Sequence, residues 1–275
     1  MPDLLLRPTP PDADGRVHHV TPENAGWGHV GFELFKLTPG QTLARYTGGR
    51  EACLVMVSGV ADISGGGIAF GRIGGRMSPF DGGPSSVYVP ARSDWRAVAQ
   101  TACELAVCTA PAEGRLPARA IPPDEAMEEI RGVGTNLRRV RNILPDTSPY
   151  AENLLVVEVV TPGGHWSSYP PHKHDTDDAP NETYLEETYY HRIARGNGFA
   201  LQRVYTDDGS LDVTMAVRDR DVVLVPRGYH PVAASHGFDL YYLNVMAGPV
   251  RAWKFTMSPD HAHLGWSSTT REVSR

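Results

Sequence analysis

The chain has 275 residues, a formal net charge of −6 and 41% hydrophobic residues, enough apolar material for one large domain or two ordinary ones. It carries no basic face with interleaved aromatics and no run of 18 apolar residues. That argues against nucleic-acid binding and against a membrane-spanning helix. The 28 glycines and 23 prolines are scattered, as in many short strands joined by turns rather than a low-complexity tail.

Residues 1–30 read as a proline- and polar-rich arm. Its start, MPDLLLRPTPPD, has three leucines between an aspartate and an arginine, which is no signal peptide. Strands begin at Gly31. GFELFKLTPG ends in a Thr-Pro-Gly turn, with Pro39 supplying a fixed φ and Gly40 a permissive one. REACLVMVSG, VADISGGGIAFGRIGG, SSVYVPARSD and CELAVCTAP follow at regular spacing, an all-β pattern over residues 31–118. Cys53, Cys103 and Cys108 lie among apolar neighbours without metal spacing. They read as buried free thiols, suited to a reducing, cytoplasmic setting.

Residues 119–149 read as a connection. PPDEAMEEIRG, with prolines and an aspartate before it and a glycine after it, predicts a short capped helix. Arg138, Arg139 and Arg141 form the longest basic cluster and read as a solvated turn or as domain-interface arginines. Strands resume over 150–257, from ENLLVVEVVTPGG to FDLYYLNVMAGP, with a hairpin turn around Asp208-Gly209. Residues 258–275 read as a surface tail.

The two halves resemble each other. Thr38-Pro39-Gly40 recurs as Thr161-Pro162-Gly163 at an offset of 123, and Pro90 recurs as Pro226 at 136. ELAVCTAP, ending at Pro111, recurs as YLNVMAGP, ending at Pro249, at 138. An internal repeat of β units predicts a bicupin, two tandem double-stranded β-helix (jelly-roll) barrels. The acidic loop HDTDDAPNETYLE reads as an insertion in the second unit.

The second unit also holds the ligand chemistry. His172 and His174 are spaced i, i+2, so on a strand both imidazoles point one way. Glu186 and Glu187 follow, then His230 in VPRGYHPV. Three imidazoles and a carboxylate suit one divalent metal with open positions: zinc first, with manganese, iron or nickel also fitting the donor set. The 136 offset maps Glu187 onto Glu51 and Glu186 onto Arg50, which favours Glu187 as the inward ligand. The first unit lacks the histidines and is expected to be metal-free.

Alternation from Glu187 brings Tyr189 and His191 to the same face, and His191 reads equally as a proton carrier or as a hydrogen-bonded core histidine. Arg203, Tyr205, Tyr242 and Asn244 are polar residues in otherwise apolar strands. A buried arginine needs a partner, so Arg203 meets either a structural carboxylate or an anionic ligand. Arg227 and Tyr229, beside His230, are candidates for the same task. His261 and His263 share the i, i+2 spacing but lie in the tail, where a ligand role is not expected.

TPGGHWSSYPPHKHDTDD, YLEETYYHRI, GFALQRVYTDDGSLD, VVLVPRGYHPV and YYLNVMAGPVRAW together resemble the 5-deoxy-glucuronate isomerases of bacterial myo-inositol catabolism. FGRIGGRMSPF, SSVYVPA and ELAVCTAP extend the resemblance into the first half. The chain is more distantly similar to the 4-deoxy-L-threo-5-hexosulose-uronate ketol-isomerases, whose metal ligands map onto His172, His174, Glu187 and His230. The resemblance implies an aldose–ketose isomerisation of 5-deoxy-D-glucuronate to 5-dehydro-2-deoxy-D-gluconate through an enediolate. A base drawn from His191, Tyr189, Tyr205 or Glu186 would serve it, unless a hydride shift operates. An arginine would hold the distal carboxylate, Arg203 first and Arg227 second. The expected partner is a small sugar acid, and open strand edges leave self-association available. A cupin oxygenase, an isomerase of another uronate and a non-enzymatic sugar-acid-binding bicupin stay open as alternatives.

Overall fold

The computed structural model describes residues 3–264 and 268–270. Each half of the chain builds one large and one small antiparallel sheet. In the first half the strands Gly31–Leu37, Arg50–Ser58, Ser85–Val89 and Cys103–Pro111 form the centre of the large sheet. Thr42–Tyr46, Val60–Gly65, Ile68–Gly74 and Asp94–Ala99 form the small one. The second half repeats this plan, with Leu155–Thr161, Glu186–Ile193, Val222–Val225 and Leu240–Ala247 in the large sheet. Trp166–Ser167, Ala200–Tyr205, Asp212–Val217 and Val232–Ala234 form its small sheet. Among the described residues no helix is long and apolar enough to cross a membrane.

Period-two burial divides the work of each strand. Along Arg50–Ser58, Ala52, Leu54 and Met56 fill the first barrel with Phe35, Leu43 and Trp95. Cys53, Val55 and Val57 face the opposite way, into a core shared with Tyr190, Val223, Leu243 and Val245 of the second barrel. The large sheets therefore pack against each other, and the first barrel is filled with apolar side chains.

Two glutamates tie the barrels together by reciprocal contacts. The Glu186 carboxylate accepts the backbone N–H groups of Gly28, His29 and Val30 at 2.7, 2.7 and 2.9 Å. The Glu51 carboxylate accepts those of Glu152, Asn153 and Leu154 at 2.7, 2.6 and 2.7 Å. Each clamped segment leads into the first long strand of the other barrel. Glu51 is thus the counterpart of Glu186. Strand register agrees: Ala52 pairs with Val89 as Glu187 pairs with Val225. The register expected from the VP turns is off by one at this strand, because the halves differ in length between glutamate and turn.

The predicted helix in PPDEAMEEIRG is a strand instead. Met127–Arg131 pairs antiparallel with Arg138–Leu144, extending the second barrel's large sheet into the expected connection. Ladder hydrogen bonds and the ion pair of Glu128 with Arg141 (2.7 Å) outweigh local helix propensity. The N-terminal arm is partly ordered into sheet: Leu5–Leu6 pairs with Val222–Val223 of the second barrel, and Arg16–Val20 joins the first. In the expected tail, Pro259–Leu264 forms a 3-10 turn and Ser268–Thr270 pairs with Glu129–Arg131; residues 265–267 and 271–275 lie outside the described residues.

Candidate metal centre and active-site cavity

Three backbone arrangements bring the ligand candidates together. The short strand His172–Lys173 pairs with Thr256–Met257. The residue after it, His174, exchanges bonds with Leu185: its carbonyl accepts the Leu185 N–H at 2.9 Å, and its Nδ1 lies 3.0 Å from the Leu185 carbonyl. This joins the histidine pair to the strand carrying Glu187. His230 follows a tight turn in which Gly228 has φ +87°, and a Cβ there would lie 2.3 Å from the Tyr205 carbonyl oxygen. Only glycine fits.

One ring nitrogen from each of His172, His174 and His230 lies within 4.8 Å of the others, and all three side chains are buried. Nδ1 of His230 lies 2.8 Å from the Gly228 carbonyl. A carbonyl only accepts, so Nδ1 of His174 and of His230 carries the hydrogen and Nε2 presents a lone pair. Those two Nε2 atoms lie 3.1 and 3.0 Å from Oε2 of Glu187. Asn244 Nδ2 donates to the other oxygen of Glu187. Lone pairs converging on a carboxylate oxygen repel unless a cation or protons sit among them. The donor set therefore fits a divalent cation.

Burial, reinforced by His230 and His174, holds His172 well below the usual imidazole range. Burial alone would raise Glu187, but the charges and hydrogen bonds of His230 and His174 outweigh it and hold the carboxyl well below its usual range. Burial would lower His174, and its bond to Glu187 raises it instead.

Of the donors, His172 and Glu187 line a cavity of about 230 Å³, a volume suited to a small molecule. Glu187, Tyr189, Tyr242 and Asn244 line it from two strands, and Arg138, Val140 and Asn142 from a third. The Tyr189 hydroxyl lies 3.0 Å from Ser168 Oγ, and the Tyr242 hydroxyl 2.7 Å from Ser167 Oγ. Burial pushes both phenols up, so both stay protonated. Glu186 faces away, in its clamp.

Other candidates fall elsewhere. Arg203 lies on the outer face of its strand, bonded twice at 2.8 Å to Asp212 and stacked 4.1 Å over the Tyr205 ring. The inward residue of that stretch is Gln202, because Ala200, Gln202 and Val204 alternate toward the interior. Arg227 is bonded to Ser210 at 3.2 Å at an exposed site. Tyr205 and Tyr229 pair backbone to backbone beneath the His230 turn, with ring centroids 5.1 Å apart, and do not line the cavity. His191 shares the face of Tyr189 but is wholly buried behind it, Nε2 2.9 Å from Gln202. Burial lowers it to about 4, the behaviour of a neutral core histidine. Arg203→Ala should therefore leave kcat/KM within about twofold, as for an ordinary surface change; steady-state kinetics checks this.

Sequence reasoning missed the support around the histidines. Lys173 Nζ binds Asp175 at 2.7 Å and Glu182 at 3.0 Å, folding the acidic loop onto the ligand strand. Asp175 Oδ2 in turn accepts the Gly228 N–H at 2.8 Å, joining the His172–His174 segment to the His230 turn. Asp175→Asn should weaken metal retention about 10- to 100-fold, as losses around metal ligands do. Competition with a chromogenic chelator measures it.

A double jelly roll with one histidine-rich centre in its second barrel defines a bicupin. The chain belongs to the KduI/IolB family, which it matches over residues 4–264. It is 56% identical over 262 residues to a 5-deoxy-glucuronate isomerase of Geobacillus kaustophilus (strain HTA426), covering 95% of each chain. It is 46% identical over 246 residues to that of Bacillus subtilis (strain 168), covering 89% of this chain and 91% of the relative. An iolb-like protein from Salmonella typhimurium LT2 superposes with a TM-score of 0.92 at 52% identity, over 95% of this chain and 99% of that one. A mutant of Bacillus subtilis oxalate decarboxylase OxdC shares the fold alone, with a TM-score of 0.65 at 13% identity over 94% and 80% of the two chains.

Proposed function

We propose that the protein is a metal-dependent aldose–ketose isomerase that converts 5-deoxy-D-glucuronate to 5-dehydro-2-deoxy-D-gluconate in inositol catabolism. The observation that carries this is the cluster of His172, His174, His230 and Glu187 at the edge of a small cavity that His172 and Glu187 line, in a chain 56% identical to a 5-deoxy-glucuronate isomerase. His172, His174, Glu187 and His230 would hold a divalent cation, zinc first, which would supply Lewis-acid stabilisation of negative charge developing on the substrate. The chain's own residues do the rest. Asn244 fixes the rotamer of Glu187. Tyr189, kept protonated by burial and oriented by Ser168, holds a proton where it can reach a sugar oxygen. Trp253, Val157 and Met246 line the remaining wall and exclude water. Three buried free thiols suit a cytoplasmic setting.

Proton NMR of 5-deoxy-D-glucuronate in deuterated water tests the reading. The expected result is conversion to the ketose with deuterium in the new hydroxymethyl group, the mark of proton transfer with solvent exchange. Conversion without deuterium would favour a hydride shift or a shielded proton. No conversion would remove the isomerase assignment.

A further inference from the structure

An aldose–ketose isomerisation moves two hydrogens. One passes between neighbouring carbons. The other leaves the hydroxyl that becomes the ketone and must reach the former aldehyde oxygen, so it needs a path between two oxygens. The cavity wall holds a chain of hydroxyls that could supply one. Tyr189 Oη lies 3.0 Å from Ser168 Oγ, and Ser168 Oγ lies 3.4 Å from Tyr242 Oη. All three residues line the cavity. The Tyr189 ring sits 4.9 Å from the Tyr242 ring and 5.9 Å from the His230 ring, so the chain begins beside the imidazole cluster. Each hydroxyl has one proton and two lone pairs, and each can therefore donate in either direction along the chain.

The backbone is bent to make this link. Along a regular strand, adjacent side chains face opposite ways. Ser167 pairs with Val232 in the sheet, but Ser168 follows it with φ +47°, in the left-handed region that disfavours any residue with a Cβ. That turn lets both serines reach one phenol: Ser167 Oγ, wholly buried, lies 2.7 Å from Tyr242 Oη. Glycine would hold such a φ at less cost. The position carries instead a side chain whose hydroxyl joins two phenols, and strain of this kind collects at functional sites.

We propose that Tyr189, Ser168 and Tyr242 form a relay that carries the proton from one substrate oxygen to the other. One phenol takes the proton of the hydroxyl being oxidised while the other gives its own to the former aldehyde oxygen, and Ser168 passes one between them. One substrate O–H bond breaks and another forms. Every hydroxyl of the relay loses one proton and gains one, so none changes charge. The relay serves an enediolate route and a hydride shift alike, since both leave this proton to be moved. It rests on the isomerase reading and adds Ser168 and Tyr242 to it.

The test uses the metal-loaded protein, Ser168→Gly, Tyr242→Phe and the double variant, with 5-deoxy-D-glucuronate as substrate. Ser168→Gly suits the left-handed backbone and removes only the bridging hydroxyl, so a mere turn residue would tolerate it. Each single variant should lose about 10²-fold in kcat, the lower range for a positioned proton carrier, with KM within about twofold. Metal content and thermal midpoint should match the unsubstituted protein. The double variant should be no slower than the slower single one, because a broken relay cannot be broken twice. Full kcat in Ser168→Gly, losses that multiply in the double variant, or a kcat loss that follows metal content or thermal midpoint would overturn the inference. Absence of turnover by the unsubstituted protein would instead sink the isomerase reading beneath it.

Discussion

Replacing His230 by alanine should yield folded protein that retains little metal and isomerises 5-deoxy-D-glucuronate at least about 10³-fold more slowly. The magnitude follows from the several kcal/mol that Lewis-acid stabilisation contributes, each 1.36 kcal/mol being tenfold in rate. His230 is wholly buried, its Nδ1 is spent on the Gly228 carbonyl, and its Nε2 meets Glu187 at 3.0 Å. Metal analysis and NMR turnover of the purified variant measure both effects. A variant that keeps full metal occupancy would remove His230 from the ligand set.

The second large effect concerns stability. Glu158 is 1% exposed and receives Arg76 at 2.8 and 2.9 Å, Arg141 at 3.0 Å and the Tyr241 hydroxyl at 3.2 Å. Arg76 comes from the first half of the chain, Glu158 and Arg141 from the second, so the cluster spans the barrel interface. Glu158→Ala should destabilise the protein by about 3–5 kcal/mol, because it removes the carboxylate that compensates the buried Arg76 guanidinium and leaves Arg141 with Glu128 alone. The urea midpoint, or the thermal midpoint where unfolding is irreversible, reads the loss. A shift equivalent to less than about 1 kcal/mol would show that water replaces the carboxylate without difficulty.

Strand rhythm made much of the architecture legible. Turn signals bounded the strands, and the repeated Thr-Pro-Gly and Val-Pro motifs pointed to a duplicated β unit. Met127–Arg131 was hidden because its residues favour a helix locally, and only pairing with Arg138–Leu144 makes a strand of them. The site was readable where chemistry is concentrated in one stretch, as in His172-Lys173-His174. It was less readable where two adjacent residues compete for one direction. Glu186 and Glu187 both carry chemistry, one as a backbone clamp and one at the histidine cluster, and the one-residue register difference reverses which of them matches Glu51.

Arg203 shows the limit of burial arguments made from composition. In ALQRVY both faces hold apolar residues, so alternation alone does not say whether glutamine or arginine turns inward; the structure turns Gln202 inward. Arg138 shows the converse. Taken as part of a basic cluster it reads as a solvated turn or a domain-interface arginine, but Arg138, Val140 and Asn142 alternate along one face, and that face lines the cavity. The alternation was present in RRVRNIL. Its meaning depended on knowing that the connection is part of the barrel.

Isomerisation of the sugar acid is proposed to depend on a metal held by His172, His174, Glu187 and His230. The most direct measurement is anaerobic turnover of 5-deoxy-D-glucuronate by chelator-treated protein, before and after adding a divalent metal, with circular dichroism recorded throughout. Turnover should vanish with the metal while the β spectrum persists, and return as about one equivalent of metal is bound per chain. Undiminished turnover by metal-free, folded protein would contradict it.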